Sequence, residues 1–212
     1  MKYDSLTIQD IISKRGYRNN IVGDKFSLFI SNYPSNARYL GSRIGNSNLV
    51  LAELCCSIGV TLEYMAPHFK KIIGVDVDSE VLKTCATNLV DAGVSNCELI
   101  EGDIFSDYIL EKIEADIVIY DIPYWYPYTQ ESGDNLLLKN PPLKELILKI
   151  KQHITSNIII FSPPELSYQF FKQKLGPIEY QMVFINEKHN RNQVYLGSLV
   201  QARGKTNIKL RF

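Results

Sequence analysis

The sequence has no long apolar run and few cysteines or histidines, and each scarcity excludes a class of protein. Among its 212 residues, no stretch approaches the roughly 20 apolar residues of a membrane-spanning helix. No apolar signal-peptide run follows the first residues, so we expect a cytoplasmic protein without membrane contact. The four cysteines show no metal-ligand spacing, and the three histidines are scattered. We therefore expect reduced, buried thiols and no metal.

A net charge of either sign is also absent, because 23 Lys or Arg balance 23 Asp or Glu. The distribution is uneven. Residues 1–45 carry seven basic and three acidic residues, and residues 188–212 carry six basic residues and no acid. A neutral total argues against indiscriminate nucleic-acid binding, whereas basic ends around an acidic middle suit contact with a phosphate backbone. Solvated basic termini are the alternative interpretation.

Strands are predicted to alternate with helices from Asn48 onward. The apolar runs that predict strands are Leu49–Leu54, Lys71–Val75, Cys97–Glu101, Asp116–Asp121 and Asn157–Phe161. This alternation is typical of βαβ units and predicts an α/β fold with a mainly parallel sheet. The clearest helix is predicted from Ser79 to about Ala92, capped by Asp78 or Ser79. Its apolar face is formed by Val81, Leu82, Cys85, Leu89 and Val90.

The two ends of the chain differ from this pattern. Ile178–Asn186 and Gln193–Val200 are β-like runs separated by the polar residues 187–192, which predicts an antiparallel hairpin. Residues 1–45 are predicted to form a separate helical and loop extension, on the substrate side of the site or as a lid. The α/β domain is then expected to comprise residues 46–212.

Acidic residues lie at the carboxyl ends of the first two predicted strands, 23 residues apart, at Glu53 and Asp76. In open α/β sheets, ligands bind at the carboxyl ends of the strands. The turn after Glu53 has small residues at Cys55, Ser57 and Gly59. It suits a nucleotide-like ligand with ribose hydroxyls and a positive charge, and it lacks the glycines that a pyrophosphate requires. S-adenosylmethionine is such a ligand, although an ordinary buried turn would give the same pattern.

Further candidate cofactor residues lie after the second and third strands. Asp76, which precedes Val77, can accept hydrogen bonds from both ribose hydroxyls, whereas Asp78 is interpreted as a helix cap. Asp103 can accept from the adenine amino group while Ile104 packs on the ring. A loop aspartate that caps the next helix is the alternative for Asp103.

The fourth strand ends in an acidic and aromatic segment. Asp121 is expected to hydrogen-bond the exocyclic amine of a flat nitrogenous base. The residues expected to complete the catalytic segment or stack on the base are Ile122, Pro123, Tyr124, Trp125 and Tyr126. Ser162 and Pro163, after the fifth strand, are expected to face the same edge. The alternative is an aromatic loop that packs on the surface of its own domain.

Together, these residues resemble those of class I S-adenosylmethionine-dependent methyltransferases, from about Asn48 to Val200. Within that class, the turn Glu53–Gly59 is similar to the acid-x-x-Cys-Gly-x-Gly turn of trimethylguanosine synthase-like RNA guanine-N2 methyltransferases. Residues 181–188 and 195–199 are similar to the closing hairpin of that family. The resemblance implies a seven-stranded Rossmann-like sheet with helices on both faces, and S-adenosyl-L-methionine as cofactor.

The segment after the fourth strand departs from that subfamily. The Ser-Pro-Pro-Trp of the cap enzymes falls on Asp121-Ile122-Pro123-Tyr124. This tetrapeptide is closer to the Asp-Pro-Pro-Tyr of enzymes that methylate amino groups of adenine or guanine. The resemblance therefore implies N-methylation of a purine in RNA, at guanine N2 or adenine N6. The alternatives are a protein or small-molecule methyltransferase and a catalytically inactive scaffold subunit with the same fold.

Overall fold

A computed structural model describes residues 5–121 and 143–211 of the chain. These residues divide into two compact units, which comprise residues up to Gly102 and residues from Asp103 to Arg211. The first unit begins with three helices: α1 (Ile8–Arg15), α2 (Lys25–Ile30) and α3 (Pro34–Ile44). A reciprocal capping box between Thr7 and Asp10 fixes the start of α1.

Three parallel strands follow, with β2 between the other two. They are β1 (Asn46–Leu54), β2 (Phe69–Asp76) and β3 (Cys97–Glu101). Two helices connect them: α4 (Val60–Met65) and α5 (Ser79–Asp91). Asp78 caps α5 by accepting hydrogen bonds from the backbone N–H groups of Glu80 and Val81, which confirms its interpretation as a helix cap. Val90, predicted to lie on the apolar face of α5, is instead 74% exposed.

The N-terminal helices share a core with the turn after β1. Ile11, Ile12 and Leu28 lie in one buried cluster with Ile58 and Val60. A polar contact adds to this packing, since Arg18 Nε lies 3.1 Å from each carboxylate oxygen of Glu63 on α4. Arg18 Nη2 also donates to the backbone oxygen of Asn88 on α5 at 2.7 Å. Residues of the predicted extension are therefore fixed against the helices of the first unit.

The second unit contains five strands and three helices among its described residues. In chain order they are α6 (Asp107–Leu110), β4 (Ile117–Asp121), α7 (Leu143–His153), β5 (Ile158–Ser162), α8 (Tyr168–Leu175), β6 (Glu179–Ile185), β7 (Lys188–Tyr195) and β8 (Gly204–Leu210). Strands β4 and β5 are parallel, and β7 runs antiparallel to both β5 and β6. Strand β8 pairs in parallel with β6.

Two expectations need correction. The described residues contain eight strands instead of seven, because β8 was not predicted. The hairpin turn is also shorter than predicted. It consists of Asn186 and Glu187, whose φ angles of 47° and 67° are those of a tight primed turn. The polar residues that follow therefore belong to β7 and not to the turn.

The α/β, Rossmann-like fold with a mainly parallel set of strands and a C-terminal antiparallel pair is confirmed. Buried apolar side chains on β1 and β2 supply much of the core of the first unit, and those on β4 and β5 supply much of the core of the second. No helix in residues 5–121 or 143–211 has both the length and the apolar content of a membrane crossing.

Candidate functional site

The turn after β1 has a backbone conformation that glycines usually adopt. Cys55 and Ser57 have φ angles of 63° and 50°, in the left-handed region, and Gly59 has a φ of 85°. The sequence has Cys55 and Ser57 where glycines are expected, and the structure gives both the glycine-type conformation. Non-glycine residues adopt this conformation at a cost of roughly 1–2 kcal/mol each. The turn therefore keeps its tight shape without the glycines.

Asp76 holds this turn from the end of β2. The backbone N–H of Ser57 donates to Asp76 Oδ2 at 2.9 Å, and that of Asp78 donates to Oδ1 at 3.2 Å. The structure thus brings together Ser57 and Asp76, two of the predicted cofactor residues. Each carboxylate oxygen can accept more than one hydrogen bond, so the half-buried Asp76 retains capacity for ligand hydroxyls. Val77, the next residue, is 68% exposed.

The buried carboxylate of Glu53 and two buried thiols lie in or beside the turn. Glu53 is 2% exposed, and Cys56 and Cys85 are also buried. A hydrogen bond with Cys85, together with burial, raises the pKa of the Cys56 thiol well above its usual value. Burial raises the pKa of Cys97 to about 12. The Cys56 and Cys97 thiols therefore stay protonated near neutral pH, which argues against a nucleophilic role for either of them.

Replacing Ser57 with glycine is expected to stabilise the protein by about 0.5–1 kcal/mol. Glycine escapes the cost of the left-handed conformation but loses more chain entropy on folding. Urea unfolding followed by circular dichroism measures the change. Gly59→Ala is the matched control with the opposite sign, because its new Cβ would lie 2.5 Å from Cys85 Sγ at a φ of 85°. A lower free energy of unfolding for Ser57→Gly would contradict the assignment of strain.

In the second unit, Asp103 and Ile104 begin the segment that leads to α6. The carboxylate of the exposed Asp103 accepts a hydrogen bond from the backbone N–H of Phe105 at 2.9 Å. Ile104 is 5% exposed. Asp103 therefore orders its own loop, but it does not cap α6 as the alternative interpretation expects, because the N-cap of α6 is Ser106. Its exposure also leaves the carboxylate accessible for the predicted contact with an adenine amino group.

Asp121 ends β4 as a mostly buried carboxylate that contacts the guanidinium group of Arg191. Its side chain is 14% exposed, and Oδ2 accepts a hydrogen bond from Arg191 Nη1 at 3.4 Å. Oδ1 accepts no hydrogen bond from any residue that the structure describes. A buried carboxylate oxygen without a donor is costly, so this atom is poised to accept a hydrogen bond.

Arg191 is the site residue that sequence reasoning missed. It lies on β7, with a side chain only 4% exposed, and its guanidinium carbon lies 5.0 Å from the centre of the Phe161 ring. Phe161 is the register partner of Asp121 on the neighbouring strand. The only sequence signal was an arginine in a polar stretch interpreted as a turn. Strand pairing brings Arg191 to Asp121, and the position of Arg191 in the chain gave no indication of this contact.

The environment of Asp121 has opposing effects on its ionisation. Burial raises the pKa of the Asp121 carboxyl above its usual value, and the charge and hydrogen bond of Arg191 counteract part of this rise. A carboxyl with a raised pKa beside a fixed cation can remain ionised at neutral pH and still accept a proton more readily than an exposed aspartate. Such perturbed carboxyls are concentrated at functional sites.

The segment after β5 is held by Asn192. Its amide nitrogen donates to the backbone oxygens of Pro163 at 2.7 Å and Leu166 at 3.1 Å. Ser162 is 1% exposed, and its hydroxyl lies 3.4 Å from the same amide nitrogen. These contacts with Asn192 therefore fix the positions of Ser162 and Pro163 at the end of β5. Their predicted contact with a base remains a prediction.

The other predicted residues of the catalytic segment are not described. Ile122, Pro123, Tyr124, Trp125 and Tyr126 lie outside the described residues. Within the described ranges, no group of three or more His, Cys, Asp or Glu side chains could hold a metal ion.

Comparison with known proteins finds similar sequences for part of the chain. Residues 51–131 match the family model of a methyltransferase domain. An uncharacterized RNA methyltransferase from Clostridium tetani is 32% identical over 71 residues, which cover 34% of this chain and 16% of the relative. The rRNA N(6)-adenosine-methyltransferase metl-5 of Caenorhabditis elegans is 31% identical over 85 residues, which cover 38% of this chain and 40% of the relative.

A solved structure is similar over more of the chain. The crystal structure of a proposed methyltransferase from Porphyromonas gingivalis matches with a TM-score of 0.68 at 15% identity, covering 86% of this chain and 44% of that chain. This likeness shows the fold. The chain spans less than half the length of each of these three proteins. Residues 51–131 therefore match a methyltransferase domain, and the described residues have the α/β, Rossmann-like fold of methyltransferases.

Proposed function

We propose that the chain methylates an exocyclic amine of a purine in RNA, at guanine N2 or adenine N6. The observation that carries this proposal is Asp121, a mostly buried carboxylate paired with Arg191 whose Oδ1 accepts no hydrogen bond from the described residues. An exocyclic amine offers two N–H donors and has a lone pair delocalised into the ring. A carboxylate that accepts from one N–H orients the nitrogen and makes that lone pair more available.

The first unit fits the methyl donor. Asp76, positioned by two backbone N–H groups, has acceptor capacity for ribose hydroxyls. The left-handed turn at Cys55, Ser57 and Gly59 lets a ligand approach its backbone. S-adenosylmethionine supplies an electrophilic methyl group on a sulfonium sulfur.

The chemistry required of the protein is mostly positioning. Effective molarities of about 10⁵ M and above are reached when reacting groups are held in line. When the amine nitrogen forms its bond to the methyl carbon, the bond from that carbon to sulfur breaks, its electron pair leaves with the sulfur of S-adenosylhomocysteine, and the nitrogen must lose a proton. Asp121 is the proposed acceptor of that proton, directly or by way of water. Arg191 fixes the carboxylate by its contact with Oδ2.

RNA is the favoured substrate over a protein or a small molecule. Both curated relatives described above are named as RNA methyltransferases, and one is named for the N6 position of adenosine in rRNA. An inactive scaffold is disfavoured for a structural reason. Its best support was the missing glycines at Cys55 and Ser57, yet both residues adopt the conformation that those glycines would provide.

The test has two readouts. Calorimetry with S-adenosylhomocysteine measures the cofactor site, and transfer of labelled methyl groups to total RNA measures the reaction. Digestion of the RNA to nucleosides followed by mass spectrometry should then identify N2-methylguanosine or N6-methyladenosine. Methyl groups on ribose, on ring carbons or only on protein would refute the proposed substrate. Failure to bind S-adenosylhomocysteine would refute the proposal that the chain is a methyltransferase.

Replacing Arg191 with methionine is expected to move the acid limb of the pH–activity profile to higher pH. Arg191 lowers the pKa of Asp121 against the burial that raises it, so removing Arg191 raises that pKa further. Asp121 accepts a proton only when ionised, and activity should therefore begin at higher pH. Profiles of kcat against pH measure the shift. Arg191→Lys keeps the charge and should stay close to the wild type, whereas an unmoved limb in Arg191→Met would exclude this positioning role.

A further inference from the structure

The edge strand β8 presents a row of basic side chains on one face. Alternate residues from Arg203 to Arg211 are exposed, and the residues between them are half-buried. The exposed set comprises Arg203, Lys205, Asn207, Lys209 and Arg211. Because side chains of a strand alternate between two faces, Lys205, Asn207 and Lys209 share one side of β8, and Arg203 and Arg211 directly flank the strand at its two ends. Four of the five are cationic.

The neighbouring strand contributes apolar and aromatic side chains to the same face. In the register of β6 with β8, Met182 pairs with Asn207 and Phe184 pairs with Lys209. Met182 and Phe184 are half-buried, so part of each remains accessible. The Phe184 ring stacks on His189 of β7 with ring centres 5.1 Å apart. The face therefore combines a line of cations with an adjacent aromatic surface.

No carboxylate of the described residues forms an ion pair with this row. None of the four cationic side chains makes an ion pair with any residue of the described ranges. Other lysines of the chain do form such pairs: Lys71 with Glu98, Lys83 with Glu80 and Lys149 with Asp107. Residues 188–211 contain six basic residues and no acidic residue. The positive potential along β8 is therefore available to an external anion.

We propose that this basic face of β8 binds the phosphate backbone of single-stranded RNA, an inference that rests on the proposed function and names where its substrate is held. Alternate residues of a strand are about 7 Å apart, so the cations form a nearly straight ladder that matches the repeated charges of an extended strand. Exposed aromatic surface beside such a ladder accepts a stacked base, which single-stranded RNA offers and a duplex does not.

Lysines on an edge strand also have a simpler use, since they discourage pairing with another chain. That use needs charge on β8 but no bound polyanion. The two interpretations therefore differ in one measurable property, the dependence of RNA affinity on these side chains.

The experiment compares two double variants of the full chain with the wild type. Lys205→Thr/Lys209→Thr removes two cations from the face and keeps residues that favour strands. Lys144→Ala/Lys151→Ala is the matched control, because it removes the same charge from two exposed lysines of α7 in the same unit. Fluorescence anisotropy with a labelled single-stranded RNA, over a salt series, measures affinity and its salt dependence. Thermal unfolding confirms that each variant is folded.

The β8 variant is expected to bind single-stranded RNA roughly 10-fold or more weakly at about 0.1 M salt, with a slope of log K against log salt reduced by about 1.4. The control should stay close to the wild type, and the wild type should prefer single-stranded RNA to a duplex of the same sequence. Equal losses in both double variants, or no loss in the β8 variant, would overturn the inference.

Methyl transfer to RNA, measured in parallel, separates this inference from the proposed function. If the wild type methylates RNA and the β8 variant has an unchanged KM for RNA, the β8 face is wrong and the enzyme assignment stands. If the wild type binds S-adenosylhomocysteine but neither binds nor methylates RNA, the proposed RNA substrate is wrong as well.

Discussion

Asp121→Asn is expected to reduce methyl transfer by at least about 100-fold while cofactor affinity stays nearly unchanged. Asparagine has almost the same size and can still accept a hydrogen bond from Arg191, but its amide cannot take up a proton. The reaction should therefore lose its proton acceptor and the orientation of the amine together. Single-turnover transfer of a labelled methyl group to RNA measures the rate, and calorimetry with S-adenosylhomocysteine measures the cofactor site.

Asp116→Asn provides the matched control. Asp116 is exposed and directly precedes β4, the same strand that Asp121 ends. It undergoes the same chemical change at the opposite end of the strand, so its variant should keep full activity. Near-normal turnover of Asp121→Asn on the true substrate would show that Asp121 is not the proton acceptor.

Asp121→Ala is expected to lower the stability of the fold as well as the activity. Arg191 has a side chain that is only 4% exposed, and Asp121→Ala removes the carboxylate beside it. Breaking a buried ion pair by removing one partner costs on the order of 3 kcal/mol. The asparagine variant keeps a polar partner in place, so it tests catalysis with less disturbance of the fold.

The central strands were predictable because burial on both faces leaves a continuous apolar run in the sequence. Strand β5, Ile158–Ser162, is fully buried and was located within one residue at each end. Strand β8 was missed because its Lys-Thr-Asn-Ile-Lys pattern is largely polar. Its exposed face contributes cations and its other face is only half-buried. An edge strand of this kind gives a weak hydropathy signal.

Strand β7 shows why the hairpin boundary was misplaced. Arg191, Asn192 and Gln193 are polar yet at most 3% exposed. Hydropathy assigned the first two to a turn, since polar residues are usually exposed. Burial is tolerated where hydrogen bonds replace water, and Asn192 donates to two backbone oxygens while Arg191 contacts Asp121. These hydrogen-bond partners come within reach only when the strands pair in the folded protein.

Only part of the candidate site could be predicted from the sequence. Acids at strand ends can be located from chain order alone, and Asp76 and Asp121 lie at the ends of β2 and β4 as expected. The left-handed conformation of Cys55 and Ser57 could not be inferred, because neither residue type favours it. Nor could the contact of Asp121 with a residue 70 positions away.

Replacing Asp76 with alanine is expected to weaken S-adenosylhomocysteine binding by about 10–100-fold. A hydrogen bond to a charged group contributes roughly 1.5–3 kcal/mol, and about 1.4 kcal/mol corresponds to a factor of ten in affinity. The variant loses the acceptor for ribose hydroxyls, and it also releases the Ser57 N–H that holds the turn after β1. Calorimetry measures the affinity, and urea unfolding measures any accompanying loss of stability.

Two further variants separate the direct contact from the support of the turn. Asp76→Asn keeps an oxygen that can accept from the Ser57 N–H but removes the charge and the acceptor of the Asp78 N–H, so it should lose less stability than Asp76→Ala and still bind the ligand more weakly. Asp78→Asn, two residues away, keeps a good helix cap and should bind as the wild type does. If Asp76→Asn bound S-adenosylhomocysteine as tightly as the wild type and Asp76→Ala did not, Asp76 would act by shaping the turn alone. Unchanged affinity in both Asp76 variants would refute its assignment to the ribose.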